Sequence, residues 1–103
     1  MKKIPRSFNV LGKKIKITQK LPTKYAAKYA GWDLYGLFMY EDWTIYVDPN
    51  RSLEQQWQTL YHELLHCVFF RTGLAFDESF EDGKHEQICE SVAGFIFDTF
   101  KDG

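Results

Sequence analysis

Five consecutive residues, His62-Glu63-Leu64-Leu65-His66, hold the side chains of this chain best suited to chemistry. Two imidazoles four positions apart fall on one face of a helix, because four residues is close to one helical turn. Both rings can then reach one divalent ion, and Zn2+ is the ion most often held by such a pair. The carboxylate next to the first histidine points to the same place. It can take a proton from a metal-activated water. The spacing therefore assigns His62 and His66 as metal ligands, Glu63 as general base and Zn2+ as cofactor.

These residues need a helix, and the flanking sequence supplies one. Asp48-Pro49-Asn50 ends a preceding strand. Ser52-Leu53-Glu54-Gln55 reads as a capping box, with the Ser52 hydroxyl accepting from the Gln55 amide and the Gln55 side chain reaching back. The pattern predicts a helix from about Leu53 to Thr72, with Arg71 near its negative end and Gly73 as its stop. Leu53, Trp57, Leu60, Tyr61, Leu64 and Val68 form a continuous apolar stripe. His62 and His66 lie on roughly the opposite side, flanked by Phe69 and Phe70. Such a helix is buried on both sides, with its stripe against a sheet and its histidines toward something else. Buried imidazoles need partners.

A catalytic zinc site usually takes three protein ligands and keeps one position open. A second long helix, expected over Lys84 to Asp102, carries His85, Glu86, Cys89 and Glu90 near its start. At about 100° per residue, Glu86 shares a face with Cys89, Ala93, Ile96 and Phe100, which point inward. Cys89 and Ala93 are small and leave room for the two helices to approach. Glu86 is the favoured third ligand, Glu90 the alternative, and His85 and Cys89 remain open. With Glu86 on the metal, Glu90 lies one turn on and can accept the free ring N–H of a ligand histidine, which fixes its tautomer. Acids near a helix start also suit the macrodipole with no metal present, so the assignment leans on the histidine pair. Tyr46, Tyr61, His85 and Arg71 are candidates to stabilise charge on a reacting oxygen. Tyr46 and Tyr61 read first as core aromatics, and Arg71 as a helix-end charge.

The rest of the chain reads mostly as sheet. Phe8–Leu11, a turn at Gly12-Lys13 and Lys14–Thr18 form two short strands, with Ile15 and Ile17 alternating with lysines. Thr23 to Ala30 has weak helical character, ended by Gly31. Leu34–Tyr40, a turn at Glu41-Asp42 and Trp43–Asp48 make a hairpin rich in aromatic and β-branched residues. Leu74 to Gly83 reads as an acidic loop.

Length and composition set the frame. The 103 residues suit one domain spanning 1–103. Hydrophobic residues at 45% and aromatics at 17% suffice for a packed core and argue against disorder. No apolar run approaches the roughly 18–20 residues of a membrane span. The basic start has no apolar segment behind it, so it is not a secretory signal. The two cysteines, Cys67 and Cys89, suit reduced thiols and a cytoplasmic protein. The net charge of -1 hides an asymmetry: residues 1–32 hold nine Lys/Arg and no acid. This basic third offers a surface to nucleic acid, yet no recognition-helix pattern accompanies it. It reads better as a counterweight to the acidic remainder.

Several stretches together resemble a known family. Glu86-Gln87-Ile88-Cys89-Glu90 fits the glutamate helix of the gluzincins, which follows their H-E-x-x-H helix. Ile4-Pro5, Ile45-Tyr46-Val47-Asp48 and the lead-in Glu54-Gln55-Gln56 before Leu60-Tyr61-His62 look like the small ImmA/IrrE-type metallopeptidases of phages and prophages. The metzincin continuation is excluded by Phe69 and Thr72, and the peptide-deformylase arrangement by the lack of a cysteine upstream of the motif. One departure stands out. The Glu-x-x-Ala-Asn form frequent in ImmA/IrrE proteins is absent, and Glu90-Ser91-Val92-Ala93-Gly94 matches it imperfectly, so the third ligand stays open. The resemblance implies an α+β zincin-like domain. A roughly three-stranded twisted sheet would pack on an active-site helix and a glutamate helix, and Leu34–Tyr40 would be the edge strand that receives extended substrate. It implies a monomeric zinc-dependent peptidase acting on a peptide or protein substrate. The competing reading is a non-catalytic, zinc-stabilised regulatory or DNA-associated module. Glu63 argues against that, because a purely structural site needs no base.

Overall fold

The computed structural model describes residues 2–73 and 82–100. Strands β1 (Ser7–Val10), β2 (Lys13–Thr18), β3 (Gly36–Met39) and β4 (Thr44–Val47) form one mixed sheet in the order β1-β2-β4-β3. Helices α1 (Thr23–Lys28), α2 (Leu53–Thr72) and α3 (Asp82–Phe100) complete the α+β fold. The sheet has four strands, where the resemblance implies roughly three. The added strand is β1, whose Phe8 and Val10 extend the apolar face and pack on the core.

Alternation decides which side of the sheet is covered. Ile15 and Ile17 are 0% and 6% exposed, while the intervening lysines face solvent. Ile17 pairs with Ile45 across the parallel β2–β4 junction. Val10, Ile15, Ile17, Ile45 and Val47 join Leu60 and Cys67 of α2 in one core, with Trp57, Leu64 and Val68 packed against it. Of the stripe read from the sequence, Leu60 is buried and Trp57, Leu64 and Val68 pack on the core half-buried, while the most covered side of α2 runs through Thr59, Leu60, Glu63 and Cys67. Each fully buried aliphatic side chain contributes about 1.5–3 kcal/mol.

The β1–β2 turn falls at Leu11-Gly12, one residue before the expected place. Both residues have positive φ, 49° and 82°, the twist that suits a two-residue hairpin. The Ser52 cap forms as expected, its Oγ accepting from the Gln55 amide at 3.1 Å. The return bond does not: Gln55 Nε2 donates to Thr59 Oγ1 at 3.4 Å instead. Gly73, at φ 84°, ends α2. Helix α3 starts at Asp82, two residues before the expected Lys84. Of the expected acidic loop, residues 74–81 lie outside the described residues. Phe70, expected beside the histidines, also has partners in the sheet. It sits 5.8, 5.3 and 5.4 Å from the rings of Phe38, Tyr40 and Trp43, and ties the end of α2 to the β3–β4 hairpin. No helix among the described residues is long and apolar enough to cross a membrane.

β3 pairs only with β4 and forms one edge of the sheet. It lies so close to α2 that Gly36 has no room for a side chain. A Cβ there would collide with the Thr59 methyl and come within 2.8 Å of the Tyr46 carbonyl oxygen. Gly36→Ala is expected to lower stability by about 1–3 kcal/mol, the range for overpacking. Thermal unfolding checks it, and an unchanged midpoint would mean that β3 and α2 separate without cost.

Candidate metal centre

α2 presents His62 and His66 toward α3, and their Nε2 atoms are 3.1 Å apart. Glu86 of α3 reaches across to both. Its Oε2 lies 3.1 Å from His62 Nε2 and its Oε1 2.8 Å from His66 Nε2. Ligand atoms about 2.0–2.1 Å from a tetrahedral ion stand roughly 3.3 Å apart. The two ring nitrogens and the carboxylate therefore sit almost as a bound ion would hold them. Facing ring nitrogens with a shared carboxylate are lone-pair donors aimed at one point, and a cation satisfies all of them.

The other candidates on α3 are placed differently. Glu90 Oε1 lies 2.6 Å from His62 Nδ1, on the far side of the ring from Glu86. The contact is close but not aligned as a hydrogen bond, and Nδ1 is left as a buried nitrogen without a hydrogen-bond partner. A small rotation makes Glu90 its acceptor. Cys89 is 0% exposed, and burial first, then Glu86, pushes its thiol up to about 12. It is a protonated core residue packed with Ala93. The His85 side chain lies outside the described residues.

Glu63 is the buried member of the cluster. Its carboxylate and the two histidines bring ligand atoms within 4.8 Å of one another. Glu63 is 8% exposed. Burial pushes its carboxyl up to about 8, the charges of Glu86 and Glu90 add to the rise, and a backbone hydrogen bond from Phe38 opposes it. A carboxyl titrating near neutrality beside a cluster of metal-type donors is suited to proton transfer. β3 helps create this environment: a Cβ at Gly36 would stand 3.5 Å from Glu63 Cγ, so the missing side chain lets the strand lie close to this carboxylate.

The cluster opens into a cleft of about 760 Å3. One wall is the approach to β3, with Trp32, Leu34, Tyr35, Gly36 and Leu37, and the floor includes Thr59, His62, Glu63 and His66. Arg51 holds that wall in place. Its guanidinium pairs with Asp33 and, through Nε at 2.9 Å, with Asp48, and lies 3.7 Å from the centre of the Tyr35 ring. The Asp48 amide also donates to the Tyr35 carbonyl at 2.8 Å. Planar, bidentate and stacking contacts of this kind favour arginine over lysine. Tyr46, Tyr61 and Arg71 are not among the described residues lining the cleft. Tyr61 stacks on Trp57 at 5.7 Å, and Arg71 is exposed at the helix end. Gly36, Arg51, Trp32 and Tyr35 were not singled out in the sequence. For Gly36 a signal existed, since a glycine inside an aromatic strand marks a close backbone approach.

Residues 13–93 match the IrrE N-terminal-like domain, a peptidase family. The chain belongs to this metallopeptidase family. No curated protein and no solved structure matches it. Membership of a metallopeptidase family implies a protein substrate.

The metal-free peptidase should show the protonation of Glu63 in its stability. The folded state holds the proton up to about pH 8, whereas an unfolded glutamate releases it near 4.5. Between these values the folded state binds more protons, so stability falls as pH rises. Thermal melts of the metal-free protein at both ends of this range should show the decline. Glu63→Gln should flatten it, and an equal slope in the variant would show that other groups carry it.

Proposed function

We propose that residues 1–103 form a single minimal gluzincin-type domain that hydrolyses peptide bonds with Zn2+. The observation that carries this reading is the meeting of His62, His66 and Glu86 at one point with buried Glu63 beside it. His62, His66 and Glu86 hold the ion. Imidazole and carboxylate ligands with no thiolate suit Zn2+. When bound, the ion supplies a Lewis acid that acidifies water and polarises a carbonyl. Glu63 accepts the proton of the attacking water and hands it to the departing amine. Glu90 receives the Nδ1 proton of His62 and so keeps Nε2 free to donate its lone pair. The free edge of β3 gives an extended peptide a row of backbone partners.

This account makes Glu63 necessary for turnover and unnecessary for metal binding. A quenched-fluorescence peptide mixture is expected to be cleaved by the zinc-loaded protein, to survive after chelation and to be cleaved again once zinc is restored. Glu63→Gln should keep its zinc and lose at least about 100-fold in rate, the lower range for a general base. Undiminished cleavage by zinc-loaded Glu63→Gln would remove Glu63 from the mechanism.

A further inference from the structure

The wall of the cleft is unusually aromatic for a surface in contact with water. Trp32 is 68% exposed and Tyr35 38% exposed, and both line the space that opens on His62 and His66. Tyr29, Leu34 and Leu37 line it with them. The exposed rings are braced. Tyr29 meets Trp32 edge to face at 5.2 Å, and the Trp32 amide donates to the Tyr29 carbonyl at 3.0 Å. Tyr35 is held beneath Arg51 at 3.7 Å. A fixed, exposed aromatic surface costs nothing to order when a ligand arrives, and it gains by being covered.

The charge in the cleft lies in the metal cluster. The ionisable side chains lining the cleft are His62 and His66 with the acids Glu63, Glu86 and Glu90, and no Lys or Arg is among the described lining residues. Arg51 is nearby but already engaged by Asp33 and Asp48. The charged groups of the cleft thus belong to the metal cluster, and the wall beside it is aromatic and aliphatic. An aromatic side chain meets Trp32 and Tyr35.

We propose that the Tyr29–Trp32–Tyr35 wall is a side-chain subsite that selects extended peptides carrying a large apolar, preferably aromatic, residue. The inference rests on the peptidase reading and names its substrate class. The peptide lies along the edge of β3, which places alternate side chains on the wall. Trp32 is the main determinant because most of its ring is uncovered. Its removal leaves the core intact, since it takes no part in it.

The test is equilibrium binding to the full chain carrying Glu63→Gln and supplied with Zn2+. The probes are capped alanine pentapeptides with Phe, Leu or Ala at the centre. The Phe peptide should bind about 10-fold more tightly than the Ala peptide, in line with the burial of one aromatic ring. Trp32→Ala should reduce the Phe preference to within about 3-fold at unchanged zinc content, and Trp32→Phe should restore most of it. Failure of the Phe peptide to bind more tightly than the Ala peptide overturns the inference, as does a preference that survives Trp32→Ala. The two readings fail separately. A Phe preference in binding, with none of the peptides cleaved by the wild type, keeps this subsite and removes the peptidase mechanism. Cleavage of all of them at one rate does the reverse.

Discussion

The burial of Glu63 is the constraint on which the rest depends. A carboxylate taken out of water is expensive unless it is neutralised or paired. Here it lies between α2, the edge strand β3 and the start of α3, and its proton affinity rises accordingly. Three features make that burial possible. Gly36 lets β3 come close, the Phe38 backbone supplies a hydrogen bond, and the small residues Cys89 and Ala93 allow α3 to pack on α2. Each is a packing feature, and together they set the protonation behaviour of one group.

The same packing gathers negative charge. Glu63, Glu86 and Glu90 meet around two histidines, and the mutual effect of the acids appears in the raised Glu63 and Cys89 values. A divalent cation at the meeting point reverses the sign of this local field. It also links α2 to α3, which matters in a chain of 103 residues with a modest core. Metal binding and helix packing are then one equilibrium. The protein is held together most firmly when its chemistry is assembled.

Much of this was legible in the sequence. The alternation in Lys13–Thr18, the cap at Ser52, the stop at Gly73 and the apolar stripe of α2 are local signals, and the fold follows them closely. The histidine spacing carried the site because a helix converts a four-residue interval into a shared face. The inward face of α3, read from Glu86, Cys89 and Ala93, also survives. What was missed depends on contacts between segments distant in sequence. The three aromatic partners of Phe70 in the β3–β4 hairpin lie far from it in sequence. Arg51 draws no notice locally, because its partners Asp33 and Tyr35 lie 16 or more positions away. Tyr46 and Tyr61 carry suitable hydroxyls, but the direction in which a ring points is set by tertiary packing.

The measurement that tests the central claim most directly is zinc stoichiometry by elemental analysis of the wild type, Glu86→Ala and Glu90→Ala. The account predicts one zinc per wild-type chain, lost in Glu86→Ala and weakened only through His62 in Glu90→Ala. Zinc retained in full by Glu86→Ala and lost in Glu90→Ala would move the third ligand by one turn. A folded, zinc-supplied wild type without zinc would contradict the account altogether.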